Sequence, residues 1–593
     1  MKEAVKTMVE KDPVSRVLYV DLSRKRFWVK ERPDLFEKYL GGSGVAIRLL
    51  LEECPSGINP FNPKNPIIFA VGRFNAFFPL ASKTVAMFKS PHTGNLGESH
   101  CGGRTSTAIR LAGYGAIVIT GASEIPVYLS IHGDKVSFHD ASALWGMGSS
   151  YTVGRVIREL EPSAGYRTII RIGRAGEKLV TYASVIAETY RHFGRLGLGA
   201  VFGSKKLKAV VISGKSSIKP ENIKLYREVY GEIFEKLTKS PLMRKYHELG
   251  TPMNVNPLNL LKGLPTKNLE TAFFDKAENI SGETFAEKFL GRRLACSHCP
   301  VSCIHLAALR EPYESEPYFY KTKMISYDYE LIYSLGSMLG VYDPSGLLKL
   351  IDEVEVLGLD AISTGVVLAW ATEAQNKGLI GEKETMGLKF NWGDVETYIK
   401  AIRFIVDQPN DFFKALAHGA EYAAKIYGGL DFALTFGGNE MPGYHTGPSA
   451  YAGYLTGSRH SHLDSAGYSL DEKTASAGKR LTPVEVAEKL FEEESWRQVL
   501  SSLVICFFGR GVYTPDIVVK AFQVYGLRFD SEKLKSIGVE ILKAKYNFKV
   551  REGFNLEKLR IPKRIFETPT PHGIISEEFL RDTIRIFKEK IEA

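Results

Sequence analysis

Up to about position 213, the apolar residues of this 593-residue chain alternate with polar ones or run in short β-branched blocks, and beyond it they recur at helical spacing. The first regime predicts strands at Arg16–Val20, Pro66–Val71, Thr84–Phe88, Ala116–Thr120, Val127–Ile131, Thr168–Ile172 and Lys208–Ser213. Glycine-rich segments, Gly41–Gly44, Gly94–Gly103 and Gly194–Gly203, lie between them. The polar run Gly214–Pro220 reads as a linker, after which amphipathic helices are predicted, among them Ile223–Lys239 and Pro344–Leu357. The second is well punctuated, with Asp343 as cap, Pro344 at its first position and Gly358 at its end. A further boundary is expected at Gly428-Gly429, before an irregular stretch over 436–468. The pattern predicts an α+β chain, with a β-rich N-terminal domain over 1–213 followed by two mainly α-helical domains over 214–428 and 429–593.

Composition removes several classes. With 44% apolar and 24% charged residues and no low-complexity segment, the chain is an ordered globular protein. Its formal charge of +10 is spread among interspersed lysines and glutamates, which reads as a solvated surface rather than a nucleic-acid site and suits an acidic electron-transfer partner. Met1–Glu10 carries charges where a signal peptide needs an apolar run, and no stretch of about eighteen apolar residues follows, so the expected location is cytoplasmic, with no membrane. In a reducing compartment the six cysteines are read as metal ligands rather than disulfide partners.

Three of those six, Cys296, Cys299 and Cys303, fall within Ala295–His305, and Cys506 is the best candidate for a fourth sulfur. A triplet with one remote partner is the pattern of a [4Fe–4S] cube; the alternative is structural zinc with His298 or His305 as a ligand. The order of the spacings is the reverse of the radical S-adenosylmethionine triplet. Gly197–Gly203 is a poor dinucleotide loop, because its spacing departs from G-x-G-x-x-G and no acidic residue follows at the required distance. Several glycine loops with Lys83, Lys89, Arg104, Arg195 and Lys205 beside them suggest instead a cradle for one large polyanionic cofactor.

Taken in order over nearly the whole chain, Lys89–Gly94 with Ser99–Gly103, Ala112–Ile119, Ile172–Val180, Gly194–Lys205, the cysteine triplet, Tyr329–Gly336 and Leu357–Gly365 resemble the aldehyde:ferredoxin oxidoreductase family of tungsten–pterin enzymes. The resemblance implies that the β-rich domain is cofactor-binding, its saddle holding tungsten, or molybdenum, through the dithiolenes of two pterins, with helical domains covering it. It implies Cys296, Cys299, Cys303 and Cys506 as ligands of a [4Fe–4S] cluster beside one pterin. Ser99, His100, Cys101 and Gly102, with Gly194, Arg195, Leu196 and Gly197, match the segments that meet pterin phosphates and a bridging Mg2+. Lys83 stands where the family has an arginine between cluster and pterin, which keeps the charge and loses the fork. Pterin-ring recognition is implied for Glu355, in place of the usual aspartate, and for Gly358 and Asp360, the last also suited to cap the next helix. In a second such motif Ser501 replaces an aspartate and Val504 a glycine, while Cys506 remains, and Ser501 and Ile505 are implied as cofactor contacts.

Catalysis is implied for Glu330, a carboxylate that accepts a proton beside the metal, for His462 with His460 as the alternative, and for Tyr329 in substrate placement. Some members hold an iron between subunits, but Lys349 occupies the position of its glutamate here, so any oligomer is expected to lack that iron. The implied reaction oxidises an aldehyde with water to a carboxylic acid and passes electrons through the cluster to ferredoxin or a small iron–sulfur subunit. The alternatives are another redox reaction on the same cofactor and, outside enzymes, a zinc-stapled nucleic-acid-binding protein.

Overall fold

The computed structural model describes residues 13–593, apart from 166, 217, 218, 314 and 317. The reading of Met1–Glu10 therefore lies outside the described residues, as do two positions of the 214–220 linker.

Two six-stranded sheets form the N-terminal part. The first contains β1 (Arg16–Asp21), β2 (Arg26–Glu31), β3 (Ile67–Ala70), β4 (Thr84–Lys89), β5 (Leu96–Cys101) and β6 (Ala116–Thr120), in the order β2-β1-β6-β3-β4-β5. The second contains β7 (Val127–His132), β8 (Lys135–Asp140), β9 (Arg167–Arg171), β10 (Val185–Ala187), β11 (Arg191–Phe193) and β12 (Leu207–Ser213), in the order β11-β10-β9-β12-β7-β8. Each is antiparallel except for one parallel pair, β1 with β6 and β7 with β12. Leu18, Val20, Ile67, Phe69, Ile117 and Ile119 meet Leu129, Ile131, Val210 and Ile212 between the sheets. The intervening Val17, Tyr19, Ile68 and Val118 pack instead with residues of the helices Gly42–Glu53 and Ser531–Arg551. Burial on both faces is why these strands read as apolar runs rather than as clean alternation.

The strands that hydropathy missed are the polar or short ones. Gly94–Gly103, expected as a glycine loop, contains β5, whose Glu98 and Ser99 are buried. Within the region expected to be helical, β13 (Leu290–Leu294), β14 (Ile304–Pro312) and β15 (Tyr320–Tyr327) form a three-stranded antiparallel sheet. The cysteine triplet occupies the turn between β13 and β14, and β15 leads straight into the helix Tyr329–Leu335. The stretch 436–468 is not irregular throughout: it contains a buried helix, Pro448–Thr456, whose apolar residues encircle it and so leave no stripe to detect. The helix Pro344–Leu357 ends as expected, with the Asp343 carboxylate accepting from the Gly346 N–H at 2.7 Å and Gly358 at φ +79°. One continuous apolar core runs from Val180 through Leu350, Tyr398 and Leu490 to Phe587. Among the described residues no helix is long and apolar enough to cross a membrane.

Candidate functional site

The cysteine turn and Cys506 are brought together by backbone pairing. The Leu80 N–H donates to the His298 carbonyl at 3.0 Å and the Leu80 carbonyl accepts from the Cys506 N–H at 2.9 Å, so one residue ties both cysteine segments. The Ser297 N–H donates to the Gly103 carbonyl, and the Lys83 N–H to the Val504 carbonyl, each at 2.9 Å. Val504 sits at φ +55°, the left-handed region that favours the glycine it replaces. All four thiols are free. Burial, then the charge of neighbouring cysteines, pushes Cys299 and Cys303 up to about 12. For Cys296 burial acts in the same upward sense, but Arg191 and Lys83 outweigh it and hold the thiol below its ordinary value. Among the described residues no three His, Cys, Asp or Glu side chains converge on a point that would hold a single metal ion. Of the histidines weighed for zinc, His305 is turned to the His247 carbonyl, 3.0 Å from its Nε2.

Lys83 and the end of β5 flank the thiols. A methyl group on Gly102 would lie 2.8 Å from Cys296 Sγ and 3.4 Å from both Lys83 Nζ and Arg191 Nε. Cys101 is fully buried beside them, its thiol pushed up to about 12 by burial. The preceding His100 lies 2.8 Å from Glu98, which also approaches Lys545; burial, then Arg459, lowers His100 to about 4. The cradle of five basic residues is smaller than expected. Lys89 pairs with Glu552, Arg104 with Glu188 at 3.0 Å, and Lys205 donates to the Pro63 and Gly121 carbonyls. Lys83 and Arg195 alone of the five remain with the site. The Gly41–Gly44 segment, the start of the helix Gly42–Glu53, also leaves the cradle: a side chain on Gly42 would strike the Ser501 carbonyl at 2.2 Å, so this glycine serves close backbone packing. That contact puts the buried Ser501 against the segment, at the end of the helix Pro483–Ser502, with Ile505 also buried.

Arg195 is held by one carboxylate and one main-chain carbonyl. Its Nε is 3.2 Å from Asp360 Oδ2, its Nη2 donates to the Glu440 carbonyl at 2.6 Å, and its buried Nη1 has no partner. Asp360 caps the helix Ala361–Asn376, accepting from the Ile362 and Ser363 N–H groups. Glu440, which the sequence reading missed, bonds His92 at 2.8 Å and Ser363 Oγ at 2.7 Å. Burial opposes its ionisation, but His92 prevails and draws it down to about 2. Glu355 and His192 lie 2.7 Å apart without hydrogen-bond alignment. No atom lies within 4 Å of the place where Gly194 would carry a side chain, so the chain next to Arg195 faces open space. Leu196 and Gly197 turn at φ +70° and +84°, with the Leu196 carbonyl accepting from Ser90 Oγ.

Glu330 stands near the start of its helix and accepts from the Gly443 N–H at 3.2 Å. Its other oxygen, Oε1, has no hydrogen-bond partner and lies 3.3 Å from His462 Nε2, whose own Nδ1 is also unpartnered. Burial, then Asp328, raises Glu330 to about 8, overriding the modest preference of a helix start for negative charge. Burial and Arg195 lower His462 to about 3, so it is neutral near pH 7. His460 is turned elsewhere: its Nδ1 is 2.8 Å from the Tyr454 carbonyl, and its Nε2 is 2.9 Å from Lys549 Nζ. The Tyr454 carbonyl can only accept, so Nδ1 carries the proton, and burial, then Lys549, holds the ring neutral and locked in place with Nε2 free to accept from Lys549. Aromatic rings wall the pair, with Tyr444 stacked on Tyr468 at 4.1 Å and tilted against Tyr329 at 5.0 Å and His462 at 5.2 Å. The Tyr329 hydroxyl is spent on the Gly443 carbonyl, which leaves its ring as its contribution. Lys349 lies 3.4 Å from Glu311 at the surface.

Half-buried thiols, cations that each keep an unmade hydrogen bond and a protonatable carboxyl gather between sheets and helices, an arrangement suited to an internal redox centre. Residues 17–214 match the N-terminal domain of aldehyde ferredoxin oxidoreductase and residues 228–592 match its domains 2 and 3. The chain belongs to the aldehyde ferredoxin oxidoreductase family and is an oxidoreductase. It is 32% identical to the tungsten-containing aldehyde ferredoxin oxidoreductase of Thermococcus kodakarensis, over 94% of this chain and 92% of that protein. Against the enzyme of the same description from Pyrococcus furiosus it is 31% identical, over the same shares. It is also 30% identical to a WOR-like subunit of an aliphatic sulfonate oxidoreductase from Pyrococcus furiosus, over 69% of this chain and 66% of that one. Among solved structures, a chain of the active-site complex BamBC of benzoyl coenzyme A reductase shares the fold with a TM-score of 0.81 at 22% identity, over 97% of this chain and 94% of that one.

Proposed function

We propose that this protein oxidises aldehydes to carboxylic acids at a tungsten, or molybdenum, bis-pterin centre and passes the electrons through a [4Fe–4S] cluster to ferredoxin or a small iron–sulfur subunit. The observation that carries the reading is the buried Glu330–His462 pair, each side chain keeping one unpartnered polar atom, in a chain that also gathers four free thiols. The residues present fit the implied groups: unpartnered Arg195 Nη1 and the open space at Gly194 suit an anionic cofactor, and soft thiols suit iron. Asp360, Gly358 and Glu355 would face the pterin rings, the 99–102 and 194–197 segments the phosphates with Mg2+, and Cys296, Cys299, Cys303 and Cys506 the iron. When bound, the metal–pterin group supplies the two-electron redox chemistry.

The chain's own part is proton handling and orientation. Oxidation of one aldehyde with one water yields one carboxylic acid, two protons and two electrons. Glu330 takes a proton from the attacking water as the carbon–oxygen bond forms, and neutral His462 donates a hydrogen bond to the carbonyl oxygen as charge grows there. The ring faces of Tyr444 and Tyr329 exclude water and orient the substrate. Metal analysis of the purified protein, with aldehyde oxidation coupled to an artificial dye, tests the reading. Tungsten or molybdenum with iron, and turnover on at least one of a panel of aldehydes, is expected. Bound metal with no turnover on any of them would move the protein to another redox reaction on the same cofactor, and zinc alone would overturn the reading.

A further inference from the structure

Strand β11 places consecutive side chains on different tasks. Phe193 enters the core between the sheets and His192 reaches Glu355, while Arg191 turns to the thiol pocket beside β5. The point occupied by a methyl on Gly102 would touch Cys296 Sγ, Arg191 Nε and Lys83 Nζ together, so both cations border the same sulfur. Lys83 is the cation that the sequence singles out; Arg191 is not apparent from it. The Arg191 Nε is shut from solvent and has no hydrogen-bond partner. An unmade hydrogen bond on a buried N–H is costly, and a bound group at the thiols would complete this one.

We propose that Arg191 is a positioning residue of the electron exit, a fixed cation that sets the reduction potential of the iron–sulfur group held by Cys296, Cys299, Cys303 and Cys506. The proposal rests on the cluster part of the functional reading and not on the aldehyde. Each one-electron reduction adds one negative charge to a thiolate-bound cluster, and no atom is transferred. A guanidinium against the sulfurs stabilises the reduced form relative to the oxidised one, because charges act strongly where water is excluded. Its charge does not titrate near neutral pH, so the effect is constant where a lysine or histidine could lose it. The planar fork also offers several N–H donors to sulfur from one rigid group, and hydrogen bonds to cluster sulfurs raise the potential in the same direction.

The test is a redox titration of the holoenzyme with dithionite, followed by electron paramagnetic resonance of the reduced cluster, for wild type, Arg191→Met and Arg191→Lys. Iron content is measured in parallel. With iron retained, Arg191→Met is expected to shift the midpoint to more negative potential, and Arg191→Lys to recover part of the shift. An unchanged midpoint in Arg191→Met overturns the proposal, as does Arg191→Lys shifting as far as Arg191→Met. If Arg191→Met loses its iron, Arg191→Lys decides: a midpoint between wild type and that of a Lys83→Met protein supports the role, and one at or below that of Lys83→Met overturns it. A wild-type protein with no such cluster overturns it outright, whereas a cluster that responds as expected in a protein inactive on aldehydes leaves it standing.

Discussion

At Glu330 two opposing forces can be ranked. A carboxylate in the first turn of a helix gains about 0.3–1 kcal/mol from the backbone dipole, and removal from water costs more, which is why the group sits near 8 rather than below 4.5. Turnover is therefore expected to rise with pH through an apparent value near 8 if Glu330 must ionise, read from kcat against pH. Glu330→Gln is expected to lose roughly 10²- to 10⁴-fold in kcat with tungsten and iron contents unchanged. The stability consequence has a definite sign. Glu330 binds its proton more tightly when folded, so its contribution is full below the unfolded value of about 4.3 and is lost as pH rises through about 8. The metal-free Glu330→Gln protein should thus lose less thermal stability than wild type on going from acid to alkaline buffer, measured by calorimetry. The two histidines should separate in kind. His462→Gln is expected to lower turnover with little change in melting temperature, and His460→Ala to cost roughly 0.5–1.5 kcal/mol of stability, because it removes one of two acceptors of the buried Lys549 and leaves the Ser458 carbonyl as the other.

Among the elements, the turn after the helix Pro483–Ser502 shows how a substitution legible in sequence becomes a backbone statement. Val504 occupies a left-handed position that disfavours a branched side chain by roughly 1–2 kcal/mol, yet its side chain is fully buried, which returns a similar amount. Val504→Gly is therefore expected to destabilise no more than Val504→Ala, reversing the usual order for truncations, as denaturant melts would show. Strand prediction worked where both faces are buried, as in β3, β6 and β12, because composition alone marks such strands. It failed for β5 and β11, whose polar residues are buried or half-buried beside the site, so hydropathy reads them as loops. That failure hid Arg191 and His192, and Glu440 stayed hidden because its two-residue strand has no period to detect. The cysteine triplet, Glu330 and His462 were legible because spacing and resemblance carried them, whereas the consumption of Lys89, Arg104 and Lys205 by local partners depends on packing that no motif records.

In the whole molecule, the cysteine turn and Cys506 lie far apart in sequence, and Leu80 of the N-terminal part clasps both. Iron bound there would cross-link distant stretches of the fold, so iron-free protein and Cys506→Ser are both expected to melt at lower temperature than the loaded enzyme, with calorimetry and iron assay as the check. The three-stranded sheet has a related role. β14 begins one residue after Cys303, and β15 ends three residues before Glu330, with His305 registered against Tyr327 across a single ladder. The cysteine turn and the helix that carries Glu330 are therefore joined through the rungs of one hairpin. A ladder admits only whole-residue steps, and a slip of one residue turns every side chain over. The register between the cysteine turn and the Glu330 helix is thus set in whole-residue steps. A change in this register would come as a jump that turns one strand over against the other, not as a gradual drift.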